Sequence, residues 1–308
     1  MTGETALSGF ASAGKQAPSI AAREKLACIS IDMEPDLRCP ERRIRLIEED
    51  DKLQSFVELF QRHQVPLTSF TVMAHAPRFA RELAVLAKSM DVEFAVHSYS
   101  HDQTKPATMD EVRRAWDAFC DLWNSEPLGY RAPNCLIDAQ GLQNLAEQGY
   151  RYDSSIVPSV RFDKYGYDNR SYGLLPFRCQ LASGKTLIEL PVACTSGARI
   201  PFIFSYVKLL GLSAFEAASG VMPLPDTVVT YLHPYDLYTS EIAGHIPGWK
   251  RYAHLRNGKR GPQLLEGVIG MLKKRGYRFV SMQTLAKIAN DNVALPVRPM
   301  GRQVGVAA

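Results

Sequence analysis

Short apolar stretches rich in β-branched residues alternate with amphipathic segments between residues 26 and 282. The short stretches have the length and composition of strands, and the segments between them space apolar residues three and four positions apart, as helices do. Eight strands are predicted, at residues 26–33, 67–73, 92–97, 129–133, 151–156, 186–192, 227–234 and 278–282. Six helices are predicted between them, near residues 50–64, 77–89, 110–124, 140–148, 204–219 and 261–275.

Strands that alternate with helices pair in parallel, so the chain is predicted to be an α/β protein. About eight such strands in roughly 260 residues favour a closed or nearly closed barrel, and a doubly wound open sheet is the alternative. Neither a glycine-rich dinucleotide motif nor a phosphate-binding loop follows the first strand, which removes the usual reason to prefer the open sheet. We expect one domain at 26–290, with tails at 1–25 and 291–308.

The helix near 110–124 has the most definite pattern of the six. Thr108 followed three residues later by Glu111 is typical of a capping box at a helix start. Apolar residues then follow at helical spacing, at Val112, Ala115, Trp116, Phe119 and Trp123. We expect this stripe to face the protein core and not a cofactor.

The composition is that of an ordinary globular chain, with 46% hydrophobic residues and a formal charge of +4 over 308 residues. No block of Lys and Arg accompanies this small charge, so nucleic acid is not an expected partner. The first 25 residues lack the continuous apolar core of a signal peptide, which favours a cytoplasmic protein. Six scattered cysteines without a C-x-x-C pair are expected to be buried thiols.

The most apolar later segment is 200–222. Lys208 and Glu216 interrupt it, and it begins beside Pro201, so a membrane-spanning helix is not expected. Peripheral contact with a membrane surface remains open for this segment.

Polar side chains collect at the ends of the predicted strands. In a parallel barrel the carboxyl ends of the strands meet at one rim, so residues distant in sequence come together there. The residues at these positions are Asp32, Glu34, His97, His101, Arg131, Asn134 and His233.

His97 and His101 are the first candidates for a metal site. Two neutral imidazoles one helical turn apart point in the same direction and leave the other faces of a zinc-like ion for a carboxylate and water. Two histidines at this spacing are also common on solvated helices, so their neighbours at the rim carry the interpretation.

These residues resemble the polysaccharide deacetylase family, also called the NodB-homology or carbohydrate esterase 4 group, over about residues 26–285. The resemblance implies a distorted (β/α) barrel of the NodB type. Five stretches occur in the family's order: Asp32 of the first motif, His97 to His101, Arg131-Ala132-Pro133, residues 149–155 and Leu232-His233.

One departure from the family pattern concerns a metal ligand. Met33 stands where the family has its second aspartate, and a thioether is a poor ligand for a hard divalent cation. Glu34 is the favoured substitute, because it would share the side of Asp32 if the strand stays regular. The alternative is that Asp32 itself binds the metal and Glu34 lies in a loop.

The resemblance implies roles for the remaining residues. Asp32 is expected to be the general base, held ionised by Arg131, and His233 the general acid. The cofactor would be a divalent ion, with Zn²⁺ as the first choice. A backbone N–H near Asn134 would face the oxyanion.

Roles are also predicted for other residues of the rim. Asp153 is the candidate partner that keeps His233 protonated, with a loop-capping role as the alternative and Glu189 as a weaker choice. Tyr99 and Tyr235 are expected to bind substrate, and Asp236 lies on the same rim.

The predicted function is removal of an N-acetyl or other N-acyl group from an amino sugar of a cell-envelope or exopolysaccharide pathway. The expected partner is a carbohydrate or a glycolipid, and the sequence gives no indication of oligomeric state. One alternative is hydrolysis of a cyclic amide or ureide at the same site. Another is a glycan-binding module without catalysis, suggested by the missing second aspartate.

Overall fold

The structure is a computed structural model that describes residues 24–37, 39, 41–103, 107–162, 166–238 and 248–300. Its strands are β1 Leu26–Met33, β2 Leu67–Thr71, β3 Val92–Val96, β4 Gly129–Tyr130, β5 Tyr152–Asp153, β6 Val160–Arg161, β7 Tyr167–Asp168, β8 Phe177–Gln180, β9 Thr186–Glu189, β10 Thr227–Leu232, β11 Arg278–Phe279 and β12 Val297–Pro299. The helices are α1 Arg45–Glu48, α2 Asp50–His63, α3 Ala80–Ser89, α4 Met109–Trp123, α5 Ala139–Gln148, α6 Phe204–Leu210, α7 Leu212–Val221, α8 Pro234–Leu237, α9 Gly248–Leu255, α10 Gly261–Lys274 and α11 Met282–Asp291. All eight predicted strands are present, each at or within its predicted bounds.

The central sheet runs in the order β10-β1-β2-β3-β4-β5-β9, with each of these pairs parallel. The chain just after β9 reaches back to β10, since Ala193 N donates to Val229 O at 2.8 Å. This contact brings the two ends of the sheet together. The α/β prediction is therefore confirmed, and the fold is the distorted (β/α) barrel.

Strand β1 lies between β10 and β2, and all eight of its residues are buried. Strands covered on both faces read as nearly continuous apolar runs, which is why Leu26–Met33 is so easily recognised in the sequence. Polar Ser30 and Asp32 interrupt the run, and both point to a buried network described below. The carboxyl end of β1 thus delivers polar groups to the centre of one rim.

Two short strands extend the sheet beyond the predicted pattern. β8 pairs antiparallel with β9, and β12 pairs parallel with β8. Residues 297–299, which lie in the segment predicted to be a tail, thus belong to the sheet. β12 is only three residues long and mostly exposed, so it carries no alternation that a sequence pattern could reveal.

Helix α4 begins as predicted, because the Thr108 side chain accepts a hydrogen bond from Glu111 N. The other half of the predicted capping box is different: Glu111 turns its carboxylate to the loop after β3, where Ser100 N and Ser100 Oγ both donate to it at 2.9 Å. The helix start therefore supports that loop.

The predicted helix at 204–219 is two helices, α6 and α7, separated at Gly211. Gly211 has φ 88°, a left-handed value that a side chain disfavours, so glycine permits the break.

The apolar character of segment 200–222 is largely accounted for by burial. Phe202, Phe204, Val207 and Phe215 are buried in the main core. Among its exposed large apolar side chains are Tyr206, Leu210 and Val221. Over the described residues, no helix is long and apolar enough to cross a membrane. Peripheral contact of this segment with a membrane stays a prediction.

Candidate active site

A cavity of about 1030 Å³ opens at the carboxyl ends of the barrel strands. Most of the predicted site residues line it, namely Asp32, Glu34, His97, His101, Asn134, His233 and Tyr235. Arg131, Asp153 and Tyr99 are not among its lining residues. The structure therefore brings most of the predicted rim to one place.

Glu34, His97 and His101 form a cluster on one wall of the cavity. Glu34 Oε2 lies 2.5 Å from His101 Nε2 and 3.5 Å from His97 Nε2. One potential ligand atom from each residue lies within 4.8 Å of the other two. Two imidazole nitrogens and a carboxylate oxygen are the donor set of many catalytic zinc sites.

The hydrogen bonds of the two histidines indicate which atoms are available to a metal. His97 Nδ1 is 2.8 Å from the carbonyl oxygen of Arg131, and a carbonyl only accepts, so Nδ1 carries the hydrogen. The lone pair of His97 then lies on Nε2, which faces Glu34. His101 Nε2 faces the same carboxylate at 2.5 Å. A divalent cation fits this donor set, since it would engage both nitrogens and the carboxylate.

The histidine pair is positioned by a loop and not by a helix. His97 follows β3 directly, and residues 97–101 have no helical assignment. Ser98 and His101 both have φ 61°, and His101 N donates to Ser98 Oγ at 3.0 Å. The expectation of two imidazoles one helical turn apart was therefore wrong in its geometry, although the two rings do converge.

Glu34 also reaches the cluster by a route different from the expected one. β1 ends at Met33, whose side chain is buried in the core, and Glu34 N then donates to Asp32 O at 2.9 Å. This tight turn, and not a regular strand, brings the Glu34 side chain to the histidines. The carboxylate beside the two histidines is therefore that of Glu34 and not that of Asp32.

Charges within the cluster shift the pKa values of its members. Burial raises the pKa of Glu34, but the positive charge of His101, the hydrogen bond from His101 and the positive charge of His233 outweigh this and hold it well below its usual range. Burial lowers the pKa of His101, and the charge of Glu34 outweighs that effect and raises it. Glu34 is thus held as an anion, which is the form that binds a cation.

Asp32 is tied to Arg131 beneath the cavity floor. Arg131 Nη1 donates to Asp32 Oδ1 and to Ser30 Oγ, both at 2.8 Å, and neither charged side chain is more than 4% exposed. Arg131 also donates to Ser154 O and Ser154 Oγ at 3.0 Å. This network fixes the Asp32 carboxylate while Asp32 still lines the cavity.

His233 directly follows β10 and lines the same cavity. Its Nδ1 is 3.0 Å from Asp236 Oδ2, and its Nε2 is 3.9 Å from Glu34 Oε1. Burial lowers the pKa of His233, but the hydrogen bond to Asp236 and the charges of Glu34 and Asp236 raise it to about 9. The imidazole is therefore protonated at neutral pH.

The prediction that Asp153 is the partner of His233 is wrong, because Asp236 holds that place. Asp153 is fully buried, and its oxygens accept hydrogen bonds from Ser155 N at 3.0 Å and Ser155 Oγ at 2.7 Å. Ser155 Oγ in turn accepts from Ala132 N at 2.8 Å, the residue next to Arg131. Asp153 thus supports the segment that carries Arg131.

Glu189, the weaker choice for that role, lies beside Asp153 inside the barrel. Burial and the charge of Asp153 raise the pKa of Glu189 well above its usual range. Glu189 and Asp153 thus form a buried carboxyl pair, and Glu189 Oε1 accepts from Ile156 N at 3.0 Å.

The three predicted substrate-binding residues have different surroundings. Asn134 lines the cavity with φ 55°, and its buried Nδ2 has no hydrogen-bond partner among the described residues. Tyr235 lines the cavity, stacks on His233 with ring centroids 4.8 Å apart, and donates to Glu34 Oε1 at 3.4 Å. Tyr99 packs outside the cavity, under the Arg114 guanidinium at 4.1 Å, so its predicted contact with substrate is not supported.

Comparison with known proteins agrees with this geometry. Residues 23–152 match the family model described as polysaccharide deacetylase, which includes Asp32, both metal-site histidines and Arg131. Over this segment the chain is similar to the polysaccharide deacetylase family. His233 and Asp236 lie beyond the matched segment, so the second half of the site is known only from its geometry. No curated protein matches the chain.

Solved structures of the same fold include proteins with different described activities. A protein from Mycobacterium smegmatis assigned to the polysaccharide deacetylases is 18% identical, with 93% of this chain and 96% of that one covered and a TM-score of 0.55. A carbohydrate esterase 4 pseudoenzyme from Bacillus anthracis is 11% identical, with 91% and 71% covered and a TM-score of 0.51. The allantoinase Puue is 15% identical, with 85% and 88% covered and a TM-score of 0.51. These likenesses show the fold, and the side chains must decide the activity.

Two supporting carboxylates were not assigned their roles from the sequence. The sequence placed Asp236 on the rim but did not pair it with His233. Asp236 follows His233 by three residues, which is the spacing of a capping box at the start of α8. Glu111 was assigned to helix capping, and no sequence signal links it to Ser100.

Proposed function

We propose that this chain is a divalent-metal-dependent hydrolase that removes an N-acyl group, such as acetyl, from an amino sugar. The observation that carries the proposal is the placement of a Glu34–His97–His101 cluster, an Arg131-held Asp32 and an Asp236-held His233 in one cavity. These are the three components that metal-assisted amide hydrolysis needs: a cation site, a base and an acid.

Glu34, His97 and His101 would hold the ion. When bound there, a divalent cation such as Zn²⁺ supplies Lewis acidity for an amide carbonyl and for a water molecule. Zinc is the first choice because imidazole and carboxylate ligands with open positions are typical of its catalytic sites.

Asp32 would accept a proton from the attacking water. Its Oδ1 is engaged by Arg131, so Oδ2 is the oxygen available for that proton. A carboxylate fixed in this way pays little entropy when it meets the water, and it starts the reaction as an anion.

His233 would donate a proton to the departing amine. Nδ1 donates to Asp236, so Nε2 is the nitrogen directed to the cavity, and the imidazole is already protonated at neutral pH. Asn134 Nδ2, a donor without a partner in the described part of the chain, would meet the acyl oxygen or a sugar hydroxyl. The products are a carboxylic acid and a free amine.

The cavity has the size and lining for a sugar. Its volume of about 1030 Å³ exceeds that of one sugar ring, and exposed Phe162 and Tyr206 lie on its wall. Aromatic faces of this kind stack on the apolar faces of sugars. We infer an N-acylated amino sugar of a cell-envelope or exopolysaccharide pathway, either as part of a glycan or linked to a lipid.

The test measures acid and amine release from N-acetylated mono- and oligosaccharides, lipid-linked amino sugars and a cyclic ureide, with and without added Zn²⁺. Metal-dependent release of acetate is expected from the amino sugars. In Asp32→Asn we expect the metal to remain bound and the rate to fall by about 10² to 10⁴. Asp36→Asn is the matched control, because Asp36 is another buried carboxylate of the same cavity wall.

Three results would count against the proposal. Turnover of the ureide alone would assign the site to cyclic amides. Sugar binding without turnover in metal-loaded protein would indicate a glycan-binding module. Equal losses in Asp32→Asn and Asp36→Asn would remove the special role of Asp32.

A further inference from the structure

A buried ion pair lies behind the imidazole of His233. Lys208 Nζ donates to Asp236 Oδ1 at 2.9 Å, and the two side chains are 1% and 0% exposed. Lys208 lies on α6, in the apolar segment 200–222, whereas Asp236 lies on α8 directly after β10. The pair therefore joins α6 to the strand end that carries His233.

The Asp236 carboxylate is held from several sides. Its Oδ2 accepts from His233 Nδ1 and from His233 N, both at 3.0 Å. Ser205, also on α6, donates through Oγ to the same carboxylate at 2.9 and 3.0 Å. Two side chains of α6 thus set the plane of the carboxylate that orients the imidazole.

Stability alone is a weak reason for such a pair. Removing a lysine and an aspartate from water costs several kcal/mol, and well-packed apolar residues are often at least as stable in the same space. The ion pair does affect His233, because the positive charge of Lys208 balances the negative charge of Asp236 whether or not the imidazole is protonated. Burial raises the pKa of Asp236, but Lys208 and His233 outweigh this and hold it well below its usual range.

Lys208 is itself fixed in place. Its carbonyl oxygen accepts from Asn257 Nδ2 at 2.8 Å, and its neighbours Phe204 and Val207 on α6 are buried in the core. Because Lys208 is held rigidly, it fixes the position of the Asp236 carboxylate and, through that carboxylate, the orientation of His233.

We propose that Lys208, assisted by Ser205, is a positioning residue for His233, and that it acts by fixing the Asp236 carboxylate that orients the imidazole toward the cavity. This inference rests on the proposed function, in which His233 protonates the leaving amine. It gives segment 200–222 a role in the site.

The test uses the full-length, metal-loaded protein and the variant Lys208→Met, which keeps a similar side-chain length without the charge. Partners that orient an imidazole are typically worth about 10- to 100-fold, so we expect kcat to fall by this amount while KM is unchanged. Lys52→Met is the matched control, because Lys52 is another buried lysine in an ion pair, with Glu49, outside the cavity. Its kcat should stay at the wild-type value.

A second measurement does not depend on hydrolysis. The Nδ1–H protons of His233 and His97 are both hydrogen-bonded and are observable by ¹H–¹⁵N NMR of the imidazoles. In Lys208→Met we expect the His233 signal to broaden or disappear, because the carboxylate has lost an anchor. The His97 signal, which depends on Arg131 O, should be unchanged and serves as the internal reference.

An unchanged His233 signal would overturn the inference whatever happens to kcat, and so would an altered signal with a wild-type kcat. If Lys208→Met does not fold, Ser205→Ala is tested in its place. We expect smaller changes in kcat and in the His233 signal, and the same two results would overturn the inference. If the wild-type protein hydrolyses no amide, the proposed function fails, and the NMR signal still decides whether Lys208 positions His233.

Discussion

Replacing Arg131 by Met should destabilise the protein strongly, because it leaves Asp32 buried without a cation. Arg131 is 0% exposed, donates to Asp32, Ser30 and Ser154, and packs between the rings of Phe70 and Tyr231 at 4.1 and 4.9 Å. Methionine fills part of that space but donates no hydrogen bond.

The magnitude follows from the charge that remains. Removing one partner of a buried ion pair typically costs about 3–5 kcal/mol. Asp32 can escape by taking up a proton, but for an ordinary carboxylate this costs about 4 kcal/mol at pH 7 relative to the unfolded chain. Both routes give a loss of about 4 kcal/mol, which is a large part of the free energy of unfolding of a typical domain.

The assay is urea denaturation at pH 7, followed by circular dichroism, of the wild type, Arg131→Met, Asp32→Asn and the double variant. The double variant should regain most of the lost free energy, because no buried charge is left unpaired, but it should remain inactive. Arg170→Met is the control, since Arg170 forms an exposed ion pair with Asp168 and should change the free energy of unfolding by less than about 1 kcal/mol. A loss of less than about 1 kcal/mol in Arg131→Met, or no recovery in the double variant, would refute the reasoning.

Two further predictions concern carboxylates near the site. Glu111→Gln should weaken metal binding by about 10- to 100-fold, because Glu111 holds Ser100 in the loop that carries both histidines; equilibrium dialysis measures this, and an unchanged affinity would exclude the supporting role. Burial raises the pKa of Asp36 to about 6, against the opposing effect of Arg45. Between about pH 4 and pH 6 the folded state therefore keeps a proton that the unfolded state has released, so the contribution of Asp36 to stability falls as pH rises through this range and changes no further above it. Asp36→Asn should remove this slope and gain up to about 3 kcal/mol at pH 7, and urea titrations from pH 4 to 7 in which both proteins show the same slope would contradict it.

Much of the barrel could be predicted because buried parallel strands are continuous apolar runs. The residues at the ends of β1, β3, β4 and β10 could be grouped because parallel strands bring their carboxyl ends to one rim. Helix α11 was missed although its signal is present: Ser281 caps it, and buried Met282, Leu285, Ala286 and Ala289 follow at helical spacing.

The side-chain contacts of the candidate site depend on turns and loops that strand patterns do not specify. A single turn after Met33 decides that Glu34 reaches the histidines, and a non-helical loop brings His97 and His101 together. The choice of Asp236 over Asp153 as the partner of His233 depends on how α8 leaves β10 and on Lys208, which is distant in sequence. Side-chain partners of this kind are set by tertiary packing and are not encoded in local periodicity.

The most direct test of the central claim is the metal content of three purified proteins, measured side by side by mass spectrometry after dialysis against Zn²⁺. The account predicts about one tightly bound ion per chain in the wild type and in Asp32→Asn, and loss of the ion in Glu34→Ala. An ion that is retained in Glu34→Ala but lost in Asp32→Asn would contradict it, because Asp32 would then be the ligand and the assignment of the base would fail.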